Sequence, residues 1–465
     1  MVSGDGAFGI LLGAAVGTLF LVPADGAAQD STSVSCADVF YPSLLEVLTR
    51  CAEQGFARTQ FYLGVMYANG VEGVVPEDDA EAVRWYRLAA EQGNAGAQSS
   101  LGWMYANGEG VPEDDAEAAR WYRLAAEQGD YSAQGNLARL YAMGEGVPED
   151  AVEAVRWFRL AAEQGGATAQ FNLGLMYDDG EGVLEDRAEA VRWYRLAGEQ
   201  GHVTAQFNLG VRYANGAGVP QDDAEAVRWY RLAGEQGHVI AQYYLGVRYA
   251  NGDGVPKDDA EAVRWYRLAA EQGHADGQYN LGVKYASGDG VAEDDTEAVR
   301  WYRLAAEQGH ADAQSNLGVM YAHGYGVPED DGEAVRWYRR AAEQGNANAQ
   351  FNLGVMYRRG EGVPEDKAEA VRWYRLVAEQ GDADAQFNLG VMYTNGEGVP
   401  EDLVFAYLWY DLSATQGNET AQSNKDVIEQ RMTREQLAEA QRLSREWIET
   451  HPQARGQLRA YSRRS

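Results

Sequence analysis

The chain is almost without cysteine: two, Cys36 and Cys51, in 465 residues. A scaffold knit by many disulfides and an array of thiolate zinc sites are both excluded. Basic residues are scarce too, 39 Lys and Arg against 71 Asp and Glu, a formal net charge of −32. Such a chain repels polyanions, and binding them requires clustered Lys and Arg, which excludes nucleic acid and anionic membrane surfaces as main partners. Catalytic strings are missing: no H-E-x-x-H, G-x-S-x-G or S-x-x-K occurs, and no Gly-Lys-Ser/Thr follows a glycine loop.

Long apolar runs are confined to one place. "AFGILLGAAVGTLFLV", Ala7–Val22, is followed by Pro23 and small residues that put Gly26 and Ala28 at a cleavage site. Residues 1–28 are therefore expected to be an export signal, leaving no stable membrane insertion after cleavage. The leader "MVSGDG" lacks Lys and Arg and carries Asp5, so an uncleaved anchor is the alternative, although the run is short and Gly-rich for a span. In an oxidising compartment Cys36 and Cys51 are expected to pair, with Pro42 ending an arm that folds back on a helix; otherwise they are two reduced, buried thiols.

What the chain does have is repetition. Tryptophan recurs every 36 residues from Trp85 to Trp409, and tyrosine from Tyr105 to Tyr393. Two apolar-periodic segments per unit at this period signal a helical solenoid. One segment, "DDAEAVRWYRLAAEQG" at Asp78–Gly93, starts on Asp78 and Glu81 with the spacing of a capping box. Ala82, Trp85, Tyr86, Ala89, Ala90 and Gly93 form its apolar stripe; Arg87 and Glu91 make an i,i+4 pair on the other side. The second segment runs from about Ala95 to Asn107, with Ala97, Leu101 and Tyr105 buried. It carries a mid-helix glycine, Gly102, recurring in every unit except at Ala138. Such a glycine is unfavourable by about 1 kcal/mol relative to Ala, so close approach of a bulky neighbour, Trp85 or Tyr86, is expected. The acidic pairs read as helix caps rather than calcium loops, and they explain the charge: "EDDAEAVRWYRLAAEQG" holds five acids and two arginines.

The tandem pattern, standing as "AGAQSSLGWMYANGEGVPEDDAEAARWYRLAAEQG" over Ala95–Gly129, resembles the Sel1-like repeat family, relatives of the tetratricopeptide repeats. The resemblance implies an all-α, α/α right-handed superhelical solenoid of about ten 36-residue units, over residues 55–422. It also implies a scaffold or adaptor role, in bacteria often in the cell envelope, with few general catalytic residues to carry over. Cysteine-rich members linked to β-lactam binding carry a cysteine pair per repeat; this array has none. Both ends depart from the repeat as caps should. Residues 29–54 form an N-terminal cap, residues 423–451 a closing helix with Thr433 and Gln436 as a capping box, and 452–465 a basic tail. The closing helix is expected to cover Phe405, Tyr407 and Leu408 with Leu437, Ala440, Leu443 and Trp447.

Four histidines share one position, His202, His238, His274 and His310. Stacked helix pairs stand about 10 Å apart, too far for one metal, so these read as polar turn residues. No cofactor or metal is expected. Specificity is sought where the copies disagree. Family geometry implies that Asn208, Arg212, Arg248, Asn280 and Lys284 line a groove as a basic row, with Met320, Met356 and Met392 as an apolar stripe beyond it. The expected partner is a peptide or protein of the bacterial envelope, in the periplasm or secreted, its acidic part over the basic row. The rival functions are an envelope hydrolase acting on peptidoglycan or β-lactams and a glycan-binding module.

Overall fold

The computed structural model describes residues 41–72 and 74–451. The expected signal over 1–28, Cys36 and the tail 452–465 lie outside them; Cys51 is half-buried on the first helix. Among the described residues the fold is all-α, with 23 helices. The single β-type contact is an isolated bridge between Val71 and Val75, which closes the one loop that carries two extra residues.

The chain divides into two compact units, Met1–Gln221 and Asp222–Ser465. The first holds α1 (Tyr41–Glu53), α2 (Ala57–Asn69), α3 (Asp79–Glu91), α4 (Ala95–Asn107), α5 (Asp115–Glu127), α6 (Tyr131–Met143), α7 (Ala151–Glu163), α8 (Ala167–Asp179), α9 (Arg187–Glu199) and α10 (Val203–Asn215). The second holds α11 (Asp223–Glu235), α12 (Val239–Asn251), α13 (Asp259–Glu271), α14 (Ala275–Ser287), α15 (Asp295–Glu307), α16 (Ala311–His323), α17 (Asp331–Glu343), α18 (Ala347–Arg359), α19 (Lys367–Glu379), α20 (Ala383–Asn395), α21 (Leu403–Thr415), α22 (Glu419–Glu429) and α23 (Arg434–Thr450). Even numbers from α2 to α20 are the Leu-Gly helices of the repeat; odd numbers from α3 to α21 are the Trp-Tyr helices.

Each Trp-Tyr helix starts on an aspartate. Asp78 accepts from the Glu81 backbone N–H at 3.0 Å, which satisfies one of the orphan donors of α3. The reciprocal half of the expected box does not form: the Asp78 N–H donates to the Tyr67 carbonyl at 2.9 Å, and Glu81 turns to Arg84 at 2.9 Å. Arg87 likewise bonds the Tyr105 hydroxyl, at 2.7 Å, rather than Glu91. Val83 joins the buried stripe, whereas Gly93 lies exposed in the turn at φ +86°. At Thr433 and Gln436 both halves of the box are present.

Within each unit the tightest packing joins a Leu-Gly helix to the Trp-Tyr helix after it. Its cause is the mid-helix glycine. A Cβ on Gly102 would sit 2.8 Å from Cδ1 of Tyr122, and one on Gly64 2.6 Å from Cδ1 of Tyr86. The bulky neighbour of Gly102 is thus the tyrosine of the following helix, neither Trp85 nor Tyr86. The second loop glycine has a similar role: Gly110, at φ +67°, rests on the backbone of Asp79 at the start of the preceding Trp-Tyr helix, where any side chain would collide. Gly110 and its counterparts Gly146 and Gly254 are packing elements between repeats.

A buried amide ladder completes the frame. Gln98 donates to the Ala90 carbonyl at 3.1 Å and accepts from Gln128 at 2.6 Å. The same pair of bonds recurs at Gln134 with Ala126 and Gln164, and in the second unit at Gln278 with Ala270 and Gln308. Each such glutamine is nearly inaccessible, Gln98 at 4%, and ties three consecutive helices together. In the second unit, Ala440, Leu437, Leu443 and Trp447 of α23 pack against the cluster holding Tyr407 and Leu408, which are buried. Phe405 departs from the expected cover: it is 40% exposed and stacks on Tyr393 at 5.4 Å.

Candidate interaction surface

The expected basic row and methionine stripe fall at one position of the Leu-Gly helix, and that position faces inward. Met320, Met356 and Met392 are 6%, 5% and 0% exposed. Each lies in a core cluster with the tryptophan of the following helix, Trp337, Trp373 or Trp409. The methionines are therefore core, not an apolar stripe open to a partner. The basic side chains are at the same position, and their stems are covered in the same way. Arg248 reaches Asp223 at 2.7 Å with its side chain 17% exposed; Lys284 reaches Asp259 at 2.6 Å, 14% exposed. Both carboxylates open the preceding Trp-Tyr helix. In α9 that place is taken by Arg187, and Arg212 pairs instead with Asp178, itself standing where most repeats have Ala. Asp178 also takes the Tyr194 hydroxyl at 3.3 Å. The Lys284 ammonium holds the Asp259 carboxyl below its ordinary range, chiefly through their hydrogen bond. The row thus carries no net positive charge toward solvent. Asn208 and Asn280 are half-buried beside it, turned to the hydroxyls of Tyr194 and Tyr243.

The histidines are N-caps. The Ala205 N–H donates to Nδ1 of His202 at 3.2 Å, and the Ala241 N–H to Nδ1 of His238 at 3.2 Å. Their rings lie on aromatics: His202 stacks on Phe171 at 4.6 Å and His274 on Tyr243 at 4.8 Å. Burial pulls the His202 and His238 pKa values below the ordinary histidine range. Among the described residues no three His, Cys, Asp or Glu side chains gather as a metal cluster.

One open site on the Leu-Gly helices was not foreseen. Trp103, 45% exposed, is a tryptophan outside the 36-residue series. With Asn136 and Arg139 of α6, and with Tyr122, Glu113 and Asp115, it lines a cavity of about 430 Å³ in the first unit. Arg139 is clamped to Glu145 at 2.5 Å. Burial, before any charge effect, pushes the Tyr122 hydroxyl well above the ordinary tyrosine range, so it stays a neutral donor. An aromatic face, two carboxylates not ion-paired to Arg139, and hydroxyl and amide donors suit a partner's polar or cationic side chain. The signal was present in the sequence: Trp103 and Arg139 hold the same repeat position, where most copies have Val.

A stack of helical hairpins with a fixed frame and a few divergent surface positions defines a repeat protein of the interaction-scaffold class. The Sel1 repeat family matches ten consecutive segments, from 57–94 through 383–418. The chain belongs to that family, whose members are generally non-catalytic scaffolds. A similar solved structure is c5321, a protective antigen of uropathogenic Escherichia coli strains with an SLR fold: 39% identity, 90% of this chain and 97% of that one covered, TM-score 0.55. A Sel1 repeat protein from Oxalobacter formigenes is 34% identical over 73% of this chain and 99% of its own, TM-score 0.51. No curated protein matches the chain.

Proposed function

We propose that the chain is an exported, non-catalytic scaffold holding protein or peptide partners of a bacterial envelope through its Leu-Gly helices. The observation that carries this is the Trp103 pocket: in a frame repeated ten times, an exposed tryptophan and a cavity occur where the repeats disagree. Asn208 and Asn280 hold in α10 and α14 the repeat position that Asn136 holds in the pocket. Export rests on the apolar segment Ala7–Val22. In the oxidising compartment that export implies, Cys36 and Cys51 pair.

The test is crosslinking and recovery of partners from the native envelope with the full chain and with Trp103→Ala. Recovery of a defined partner falls at least tenfold with the variant at unchanged helical content. The same partner recovered at the same yield overturns the reading. Turnover of muropeptides or nitrocefin replaces it with a hydrolase, and binding on a glycan array without a protein partner replaces it with a glycan module.

A further inference from the structure

We infer that the first unit carries a second docking site, on the Trp-Tyr helix α7, for a peptide segment of a protein partner in which a bulky apolar side chain adjoins a carboxylate. A trough of about 510 Å³ runs between α7 and the loop that enters α9. Its floor is Val155 and Val183, its walls Val152 and Leu160, and its rim Arg156 and Arg159. The repeat supplies an internal control. The equivalent trough on α3, about 460 Å³, is lined by the matching Val83, Arg84, Arg87, Leu88 and Val111. It differs in two respects: Ala80 stands where α7 has Val152, and the carboxylate of Glu91 joins its lining. The α7 trough is thus more apolar, and Glu163, which holds the place of Glu91, is not among its lining residues.

Its surroundings change in the same direction. Ala151 stands where α3 and α5 have Asp79 and Asp115, and Leu184 stands where most repeats have Pro. Val152 is 64% exposed and Leu184 89%, so neither contributes to the core. By formal charge α3 and α5 each carry three acids against two arginines, whereas α7 carries two against two and α9 two against three. In a chain of net charge −32 this is a local loss of acid beside new apolar surface. Arg156 holds Glu153 at 3.2 Å with its side chain 62% exposed, a weak pair that a partner's carboxylate can replace. Arg159 donates to a neutral acceptor, the Tyr177 hydroxyl, at 2.7 Å, which leaves its charge available to an incoming acid. Charge complementarity therefore selects an acidic segment, and the trough selects its apolar neighbour. The site shares no residue with the pocket at Trp103 and stands independently of it.

The test uses the full chain and fluorescein-labelled ten-residue peptides centred on Leu-Asp or Phe-Glu, each matched to a peptide with Lys in place of the acid. The acidic peptides bind at least tenfold more tightly than the lysine ones. The double variant Val152→Ala, Leu184→Pro, which restores the residues common in other repeats at two exposed positions, lowers that affinity at least tenfold with unchanged melting. Trp103→Ala leaves it unchanged. Conversely Ala80→Val with Pro112→Leu raises the peptide stoichiometry from one to two. Any of four results overturns the inference: no binding of the acidic peptides, equal binding of the lysine peptides, undiminished binding by the double variant, or capture by phosphatidylglycerol vesicles that depends on the same two residues.

Discussion

Repeats two (α4 and α5) and three (α6 and α7) are neighbours in one unit, equal in length, and they diverge in two distinct ways. Inside, the divergence is paired. Gly102 faces Tyr122 in repeat two; the corresponding residues in repeat three, Ala138 and Phe158, are both buried in one cluster. A methyl appears on one helix where a hydroxyl disappears from the other. Outside, the divergence has no counterpart: Asp115 becomes Ala151, Ala116 becomes Val152 and Asn107 becomes Met143, 61% exposed. Packing couples interior positions, because a close-packed core registers even one methylene. Core packing does not couple the exposed ones, which vary without a matching change in the frame.

The largest effect is expected where the two repeats agree. Gln98→Leu and Gln134→Leu each remove two buried hydrogen bonds, the one to the Ala90 or Ala126 carbonyl, which keeps the N–H of Gly93 or Gly129, and the one that links to the next helix. Each costs about 2 kcal/mol, at about 1 kcal/mol net per hydrogen bond. Urea unfolding of the full chain should give the same loss for both. A cost confined to one repeat would show that the ladder is not part of the common frame.

Next come the paired positions. Gly102→Ala brings a methyl to within 2.8 Å of the Tyr122 ring. It should cost about 1–2 kcal/mol, overpacking outweighing the gain in helix propensity. Adding Tyr122→Phe, as in repeat three, should recover part of that cost, because a ring without its hydroxyl has more room to shift away from the methyl. Ala138→Gly should cost at least about 1 kcal/mol, because the loss of a buried methyl adds to the loss of helix propensity. A double-mutant cycle with zero coupling between positions 102 and 122 would break the pairing argument.

A smaller effect separates these repeats from the later ones by pH. α4 and α6 are capped by Asn94 and Asp130, α10 and α12 by His202 and His238 through Nδ1. Burial lowers both histidine pKa values, so the folded state favours the neutral ring. That stabilisation is complete above the unfolded value near 6.5 and is lost as pH falls through the lower folded value. A protonated Nδ1 cannot accept the cap hydrogen bond and sets a positive charge at a helix N-terminus. The loss is about 1 kcal/mol per cap. Hydrogen exchange at the first turns of α10 and α12 should quicken between pH 7 and 5 relative to α4 and α6, and His202→Asn should abolish the change in α10.

The frame was legible in the sequence because it recurs. The 36-residue period, the aspartate caps and the need for a large ring over Gly102 all follow from positions that repeat. Polar residues inside the frame were not legible as such. Gln98 recurs as strictly as Trp85, yet an amide beside alanines reads as surface until its two partners are placed around it. The methionine position misled for a related reason. Arg, Lys and Met alternate there, and variation suggests exposure, whereas a long flexible stem fills the space under the next tryptophan and a charged head still reaches a carboxylate at the rim. Trp103 and Leu184 were detectable as departures from the period, but their exposure is a property of the folded chain.

The smallest predicted effect discriminates most finely between the two repeats. Ala151 is the first residue of α7, and Asp115 is the first of α5. An acid in the first turn favours the helix dipole by a few tenths to 1 kcal/mol. Ala151→Asp should therefore stabilise the chain by about 0.5 kcal/mol, read as a small rise in the urea midpoint, and should weaken the acidic peptide at the α7 trough by adding a negative charge to α7. Both outcomes together would mean that repeat three forgoes a favourable cap contact at this position for the sake of the trough. A gain in stability with unchanged peptide affinity would leave Ala151 as neutral drift and confine the docking site to Val152, Leu184 and the two arginines. A loss of stability would place Ala151 in the frame after all, and the division between coupled interior and uncoupled surface would fail at the residue where it is drawn most sharply.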